Sequence, residues 1–334
     1  MKSKNTILFT LLAVAIVALF IIDLAIGSTD IPIGDVWASL TGGECDAATR
    51  DIVLKIRLIK AIMAIVAGAA LAVSGLQMQT LFRNPLAGPY VLGVSSGASL
   101  GVAMFLLGAP LLGIAASPSL QLLGTAGAAW LGSGVILMAI MALSRRIKDI
   151  MVILILGMMV GSAIGAVVEI LQYLSNENAL KSFVVWTMGS LGDITATQLQ
   201  LVVPTVLVGL ILAVALIKPL NLLLLGENYA RTMGLNIVRS RRMIFASTIL
   251  LAGSVTAFCG PIGFVGLAVP HLARMIFAAA DHRILIPASM MTGAVVMLVC
   301  DIVSKAMALP INTVTALMGI PIVIFVVVRN RSIV

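Results

Sequence analysis

Glu169 and Asp301 are the main acidic side chains falling inside long apolar runs of this chain. Acids buried within a membrane commonly serve proton or ion relays, and carriers hold them near the midplane on discontinuous spans. Here both fall toward the ends of their runs, and the mid-run positions are aliphatic, Met, Gly, Ser and Thr. The pattern disfavours an ion-coupled carrier working alone. His271 and His282 fall near the inner surface, no carboxylate–histidine cluster accompanies them within a span, and no Asp-Asp pair or metal-ligand motif appears. An intramembrane hydrolase therefore lacks its catalytic cluster. Cys45, Cys259 and Cys300 suit neither a disulfide framework nor a metal site. The phosphate loop G-x-x-x-x-G-K-[ST] is missing, and the dipeptide Gly-Lys does not occur at all. ATP is not bound by that route, so active transport would draw its energy from a partner.

A second kind of chemistry, docking, is written into residues 221–242, NLLLLGENYARTMGLNIVRSRR. Long apolar runs flank this charged, Gly-punctuated stretch. Gly226 breaks the chain, and Glu227–Met233 has the length for about two helical turns. Gly234 is placed to end them in a left-handed cap, and Asn236 to cap a second short helix. A short helix exposing Glu227, Ala230 and Arg231 fits a groove on a soluble protein. The competing reading is an interfacial helix held on anionic lipid by Arg239, Arg241 and Arg242.

The elements that must carry these residues are transmembrane helices. Of the 334 residues, 61% are hydrophobic and only 10% charged, where soluble domains carry about 25% charged residues. Apolar runs long enough to span a bilayer recur. The expected fold is an all-α polytopic membrane protein forming a single transmembrane domain over residues 1–334. Ten spans are expected, at about 6–27, 57–81, 88–107, 119–143, 150–174, 198–217, 243–259, 262–280, 284–308 and 311–328. The first is too long for a signal-peptide core and has no small-x-small cleavage site after it. Gly260-Pro261 divides the seventh from the eighth. Most of the 21 Lys and Arg residues fall on the side of the N-terminus. The positive-inside rule then sets both termini and the 221–242 segment in the cytoplasm.

Gly93, Gly97 and Gly101 recur every four residues, as do Gly157, Gly161 and Gly165. Such spacing gathers glycines on one helix face, either for close helix packing or to line a path through the protein; spacing alone leaves both open.

Three longer stretches carry a family resemblance. They are GAALAVSGLQMQTLFRNPLAGPYVLGVSSGASLG at 68–101, GPIGFVGLAVPHLARMIFAAADHR at 260–283 and LPINTVTALMGIPIV at 309–323. Together with LGENYARTMGL at 225–235, they resemble the permeases of iron-chelate and cobalamin ABC importers. The resemblance runs in order over about residues 50–330. It implies a homodimer of permeases with two ABC ATPase subunits below and one periplasmic or lipid-anchored binding protein above. ATP and Mg²⁺ are then used by the partner ATPase, with no cofactor or metal bound by this chain and no enzymatic role for it. A bacterial inner membrane is the implied location.

Residue by residue, the resemblance places Gly226, Glu227, Ala230, Arg231 and Gly234 at the ATPase contact. Arg57 and Lys60, in Arg57-Leu58-Ile59-Lys60, and Lys305 stand where relatives carry basic residues that meet carboxylates of the binding protein. Lysine lacks the bidentate fork of arginine, so docking through Lys60 is steered by charge more than by geometry. Lys148, Asp149, Ile150 and Met151 occupy the turn that forms the inner gate in relatives. Arg83, Asn84 and Pro85 form a signature turn, with Pro85 ending the second span. Relatives carry iron-siderophores, haem or cobalamin. An iron(III) chelate is the expected cargo because such systems are the commonest in the family, with cobalamin or haem next.

Overall fold

A computed structural model describes residues 2–27, 29, 31–111, 118–143, 147 and 149–329. All regular structure among them is helical. In chain order the helices are α1 (Lys2–Ala25), α2 (Ile33–Thr41), α3 (Ala47–Phe82), α4 (Val94–Gly108), α5 (Pro118–Leu143), α6 (Ile150–Leu174) and α7 (Glu177–Thr187). There follow α8 (Ala196–Ala215), α9 (Ile217–Leu224), α10 (Glu227–Thr232), α11 (Ile237–Cys259), α12 (Val265–Phe277), α13 (His282–Met307) and α14 (Ile311–Arg329). Among the described residues, α1, α3, α5, α6, α8, α11 and α13 are long and apolar enough to cross a membrane, while α4, α12 and α14 are shorter apolar helices.

Local chemistry moves several expected boundaries. The run expected to begin at 88 becomes α4 only at Val94, because Pro89–Leu92 forms a 3₁₀ turn and Gly93 takes a left-handed φ of 73°. The helix expected from 243 starts at Ile237, where the Asn236 carboxamide accepts the Arg239 amide at 2.9 Å. Gly260, at φ 73°, separates α11 from α12 at the expected place. Helices α2 and α7 were not among the expected elements; α7 starts at an Asn176 side chain that accepts the Ala179 amide.

The chain divides into two compact units, Met1–Val73 with Ser190–Pro204 and Ile262–Val334, and Ser74–Gly189 with Thr205–Pro261. In the first, α1 and α12 pack on α13, and α12 also meets α14. Phe9 and Phe277 stack at 4.6 Å between ring centroids. Leu24, Val36, Val53 and Ala61 form an apolar cluster near the end of α1. Gly68 of α3 lies against the Gly293 carbonyl of α13, closer than any β-carbon allows.

In the second unit α4 lies along α5. A β-carbon at Gly97 would meet the Gly132 carbonyl oxygen at 2.6 Å, and one at Gly101 would collide with that of Ala128. These two glycines therefore serve close packing. Ala98, Val102, Leu107, Ala129, Ile164 and Phe183 fill the core around them. A polar link joins α3, α8 and α11. The Gln77 amide donates to Ser247 Oγ at 3.0 Å, and that hydroxyl donates to the Gly209 carbonyl at 2.9 Å. Apolar side chains such as Val14, Ile155, Met159 and Ile211 remain exposed. In water such surfaces promote aggregation, whereas hydrocarbon solvates them.

Candidate functional site

Three helices of the first unit converge on a buried charge cluster. Asp23 sits near the end of α1, Lys60 on α3, and Asp301 and Lys305 one turn apart on α13. Lys305 Nζ lies 2.8 Å from Asp23 Oδ2 and 2.8 Å from Asp301 Oδ2. Lys60 Nζ lies 3.2 Å from Asp301 Oδ1. The charges thus alternate Asp23, Lys305, Asp301, Lys60. Both carboxylates are fully buried, while the lysines are 8% and 20% exposed.

Arg57 lies at the same end of α1 and binds main-chain carbonyls. Its Nη1 donates to the carbonyls of Leu24 at 2.9 Å and Ala25 at 2.6 Å, and its Nη2 donates to the Thr29 carbonyl. A cation here caps the last turn of α1, where carbonyls lack helical partners and the helix dipole is negative. Gly27 makes room for it, since a β-carbon there would sit 2.7 Å from Nη2.

Expected from sequence at an outward docking surface, Arg57, Lys60 and Lys305 are instead engaged within the chain. Arg57 is only 4% exposed. Of the three, Lys60 keeps the most exposure. Sequence reasoning passed over Asp23, which lies in the apolar run LFIIDLAIG. A lone acid in such a run is itself the signal that a buried partner exists.

The 221–242 segment folds as two elements and a turn. Helix α9 ends at Leu224, Gly226 takes φ 104°, and α10 follows. Gly234 takes φ 83°, so the expected left-handed stop is present. The exposed face differs from expectation. Ala230 is fully buried, and Glu227 turns inward to Arg241 of α11, itself buried. Glu227 Oε1 accepts from Arg241 Nη2 at 2.5 Å and from Nε at 3.2 Å. Spacing of i and i+3 places Glu227 and Ala230 on one helical face, and this face packs inward. Leu225, Tyr229 and Met233, four apart, are exposed instead, with Arg231 beside them. Nor is the second element a short helix, for α11 continues to Cys259, through a π-helical stretch at Ile249–Gly253. One long helix therefore leads from the Glu227–Arg241 pair into the apolar part of the second unit.

Asp149 caps α6 by accepting the Met151 amide at 2.8 Å. Ile150 and Met151 form the first turn, with Met151 exposed. Lys148 lies outside the described residues. At the signature turn, α3 stops at Phe82 and Arg83 adopts a left-handed φ of 50°. The Asn84 side chain then accepts the Leu86 amide at 2.9 Å. No group of three or more potential metal ligands occurs among the described residues.

Long apolar helices with exposed apolar faces, a buried alternating charge cluster and short polar helices between spans define a multi-pass α-helical membrane protein. Its residues 14–329 match the FecCD transport family, and the chain belongs to that family. It is 35% identical over 324 residues to the hemin transport system permease protein HmuU of Yersinia pestis, covering 94% of each chain. It is 36% identical over 330 residues to the vitamin B12 import system permease protein BtuC of Klebsiella pneumoniae, covering 97% of this chain and 94% of that one. Among solved structures it resembles a transporter described as of the metal-chelate ABC type, in an inward-facing conformation. That match has a TM-score of 0.83 and 30% identity, over 96% of this chain and 99% of the other.

Proposed function

We propose that this chain is the transmembrane permease subunit of an ATP-driven ABC importer that takes up a bulky metal chelate. The observation that carries the reading is family membership over residues 14–329, joined to the exposed apolar face of the short-helix segment at 225–234. An iron(III)-siderophore is the proposed cargo, since iron-chelate systems are the commonest of the kind the motifs resemble. Cobalamin or haem is the second reading, favoured by relatives described as importing vitamin B12 and hemin.

The working unit is a homodimer of this permease with two ABC ATPase subunits and a periplasmic or lipid-anchored binding protein, in the bacterial inner membrane. The ten apolar helices correspond to ten spans with cytoplasmic termini, making one transmembrane permease domain. ATP and Mg²⁺ are handled by the ATPase, and this chain binds no cofactor and catalyses no reaction.

The segment from Gly226 to Gly234 is the ATPase contact, with Leu225, Tyr229, Arg231 and Met233 as its exposed face. Glu227 and Ala230 shape that contact from behind. The N-terminal half of α3, with Lys60, faces the binding protein, with Arg57 and Lys305 setting its charge and position. Asp149, Ile150 and Met151, with Lys148, form the inner gate, and Arg83, Asn84 and Pro85 hold the turn after α3.

The test is co-purification. The chain is expressed with an ABC ATPase and a binding protein encoded beside it, solubilised, and captured by a tag on the ATPase. Stoichiometric capture of the permease is expected. A permease that never associates with the ATPase, yet moves solute along an ion gradient, contradicts the reading.

A further inference from the structure

Within the second unit lies a cavity of about 260 Å³ whose lining differs from the aliphatic character of the spans. Helix α4 contributes Ser95, Ser96 and Ser99, α6 contributes Glu169 and Gln172, and α7 contributes Thr187. Three helices thus bring four hydroxyls, a carboxamide and one carboxylate to a single space. No basic side chain lines it. A larger cavity of about 490 Å³ in the same unit is lined by apolar side chains such as Met104, Phe105 and Leu131. Polarity is therefore concentrated at the smaller one.

The glycine face of α6 explains the opening. A β-carbon at Gly161 would meet Ser96 Oγ at 3.1 Å, so this glycine seats the hydroxyl. One at Gly165 would meet nothing within 4 Å. Gly165 itself lines the cavity. The α4 glycines pack helices, whereas Gly165 keeps space open.

We infer that this cavity is a polar subsite of the transport path that accepts neutral or cationic, hydrogen-bonding cargo in preference to anionic cargo. The inference rests on the permease reading. Hydroxyls and the Gln172 carboxamide serve amide, hydroxyl or hydroxamate groups on the rim of a chelate. A carboxylate in a cleft with low-dielectric walls raises the local concentration of cations and lowers that of anions. Glu169 is thereby a specificity residue, favouring neutral or cationic chelates and disfavouring cargo with free carboxylates.

The test uses the full-length chain in lipid nanodiscs, with Cys45→Ser removing the less buried native thiol. Ser95→Cys and Thr187→Cys are made separately in that background. Each is reacted with a cationic and an anionic methanethiosulfonate of similar size. The cationic reagent is expected to react about tenfold faster than the anionic one at both positions, relative to a free thiol. Adding Glu169→Gln is expected to return the ratio to that of the free thiol. Thiols that react with neither reagent mean a sealed cavity, and a ratio unmoved by Glu169→Gln means that the carboxylate sets no preference; either result overturns the inference. Labelling needs no ATPase, so its failure is distinct from a failure of the importer reading, which shows as absent ATPase association.

Discussion

Lys305 illustrates how one side chain decides what its neighbours can do. It stands between two fully buried carboxylates, Asp23 and Asp301. Removing one partner of a buried ion pair costs about 3–5 kcal/mol, because a charge is left uncompensated. Lys305→Met is therefore expected to lower stability by about that amount, seen as a lower melting temperature and loss of the monodisperse peak in detergent. Replacing the set together, Asp23→Asn and Asp301→Asn with Lys305→Met, is expected to recover much of the loss. A single Lys305→Met variant with unchanged stability contradicts the cluster. Charge reversal at Arg57 or Lys305 looks from sequence like a pure docking lesion that spares expression. Burial changes that expectation. Lys305→Glu sets a third acid against two buried ones, and Arg57→Glu faces a ring of carbonyls, so folded yield is expected to fall as well. Lys60→Gln, at the more exposed end, is the better probe of docking.

At the scale of elements, glycines at equal spacing do different work. Gly101 faces a carbonyl of α5, and Gly165 faces open space. Gly101→Leu is expected to destabilise by about 1–3 kcal/mol or more through overpacking, whereas Gly165→Ala is expected to leave the melting temperature of the purified protein within error. Equal effects of the two substitutions contradict this division. The Glu227–Arg241 pair belongs to this scale too. It fastens α10 to the long helix α11 while Leu225, Tyr229 and Met233 face outward. Glu227→Gln is thus expected to keep ATPase capture but to weaken the response of ATP hydrolysis to substrate several-fold. Tyr229→Asp is expected to lose capture itself. Loss of capture in Glu227→Gln with retention in Tyr229→Asp reverses the assigned face.

Much of this was legible beforehand, and the reasons for the rest are physical. Helix breaks were readable where backbone chemistry is local, at Gly226, Gly234, Asn236 and Gly260. The membrane class was readable from composition. Which face of α10 points inward was not, because a two-turn helix with an acid, an alanine and an arginine has no decisive periodicity. Ala230 is buried by tertiary packing. Arg57, Lys60 and Lys305 were legible as important cations, and helical spacing alone sets Asp301 beside Lys305, but only the fold brings Asp23 to Lys305 and Lys60 to Asp301. The polar cavity draws on three helices, so the three serines of α4 gave no separate signal.

At the scale of the whole molecule, one unit holds a buried charge cluster, and the other holds the short helix α10 paired to α11 and a polar cavity among α4, α6 and α7. In the proposed function the chain conveys ATPase action to cargo movement. The most direct measurement is ATP hydrolysis by the permease, its ATPase and its binding protein together in lipid nanodiscs, with ferric siderophore, cobalamin and hemin added in turn. Hydrolysis is expected to respond to the loaded binding protein for one cargo, a ferric siderophore, and Glu227→Gln to blunt the response while the complex stays intact. Hydrolysis indifferent to every loaded binding protein, with the complex assembled, contradicts the proposed function.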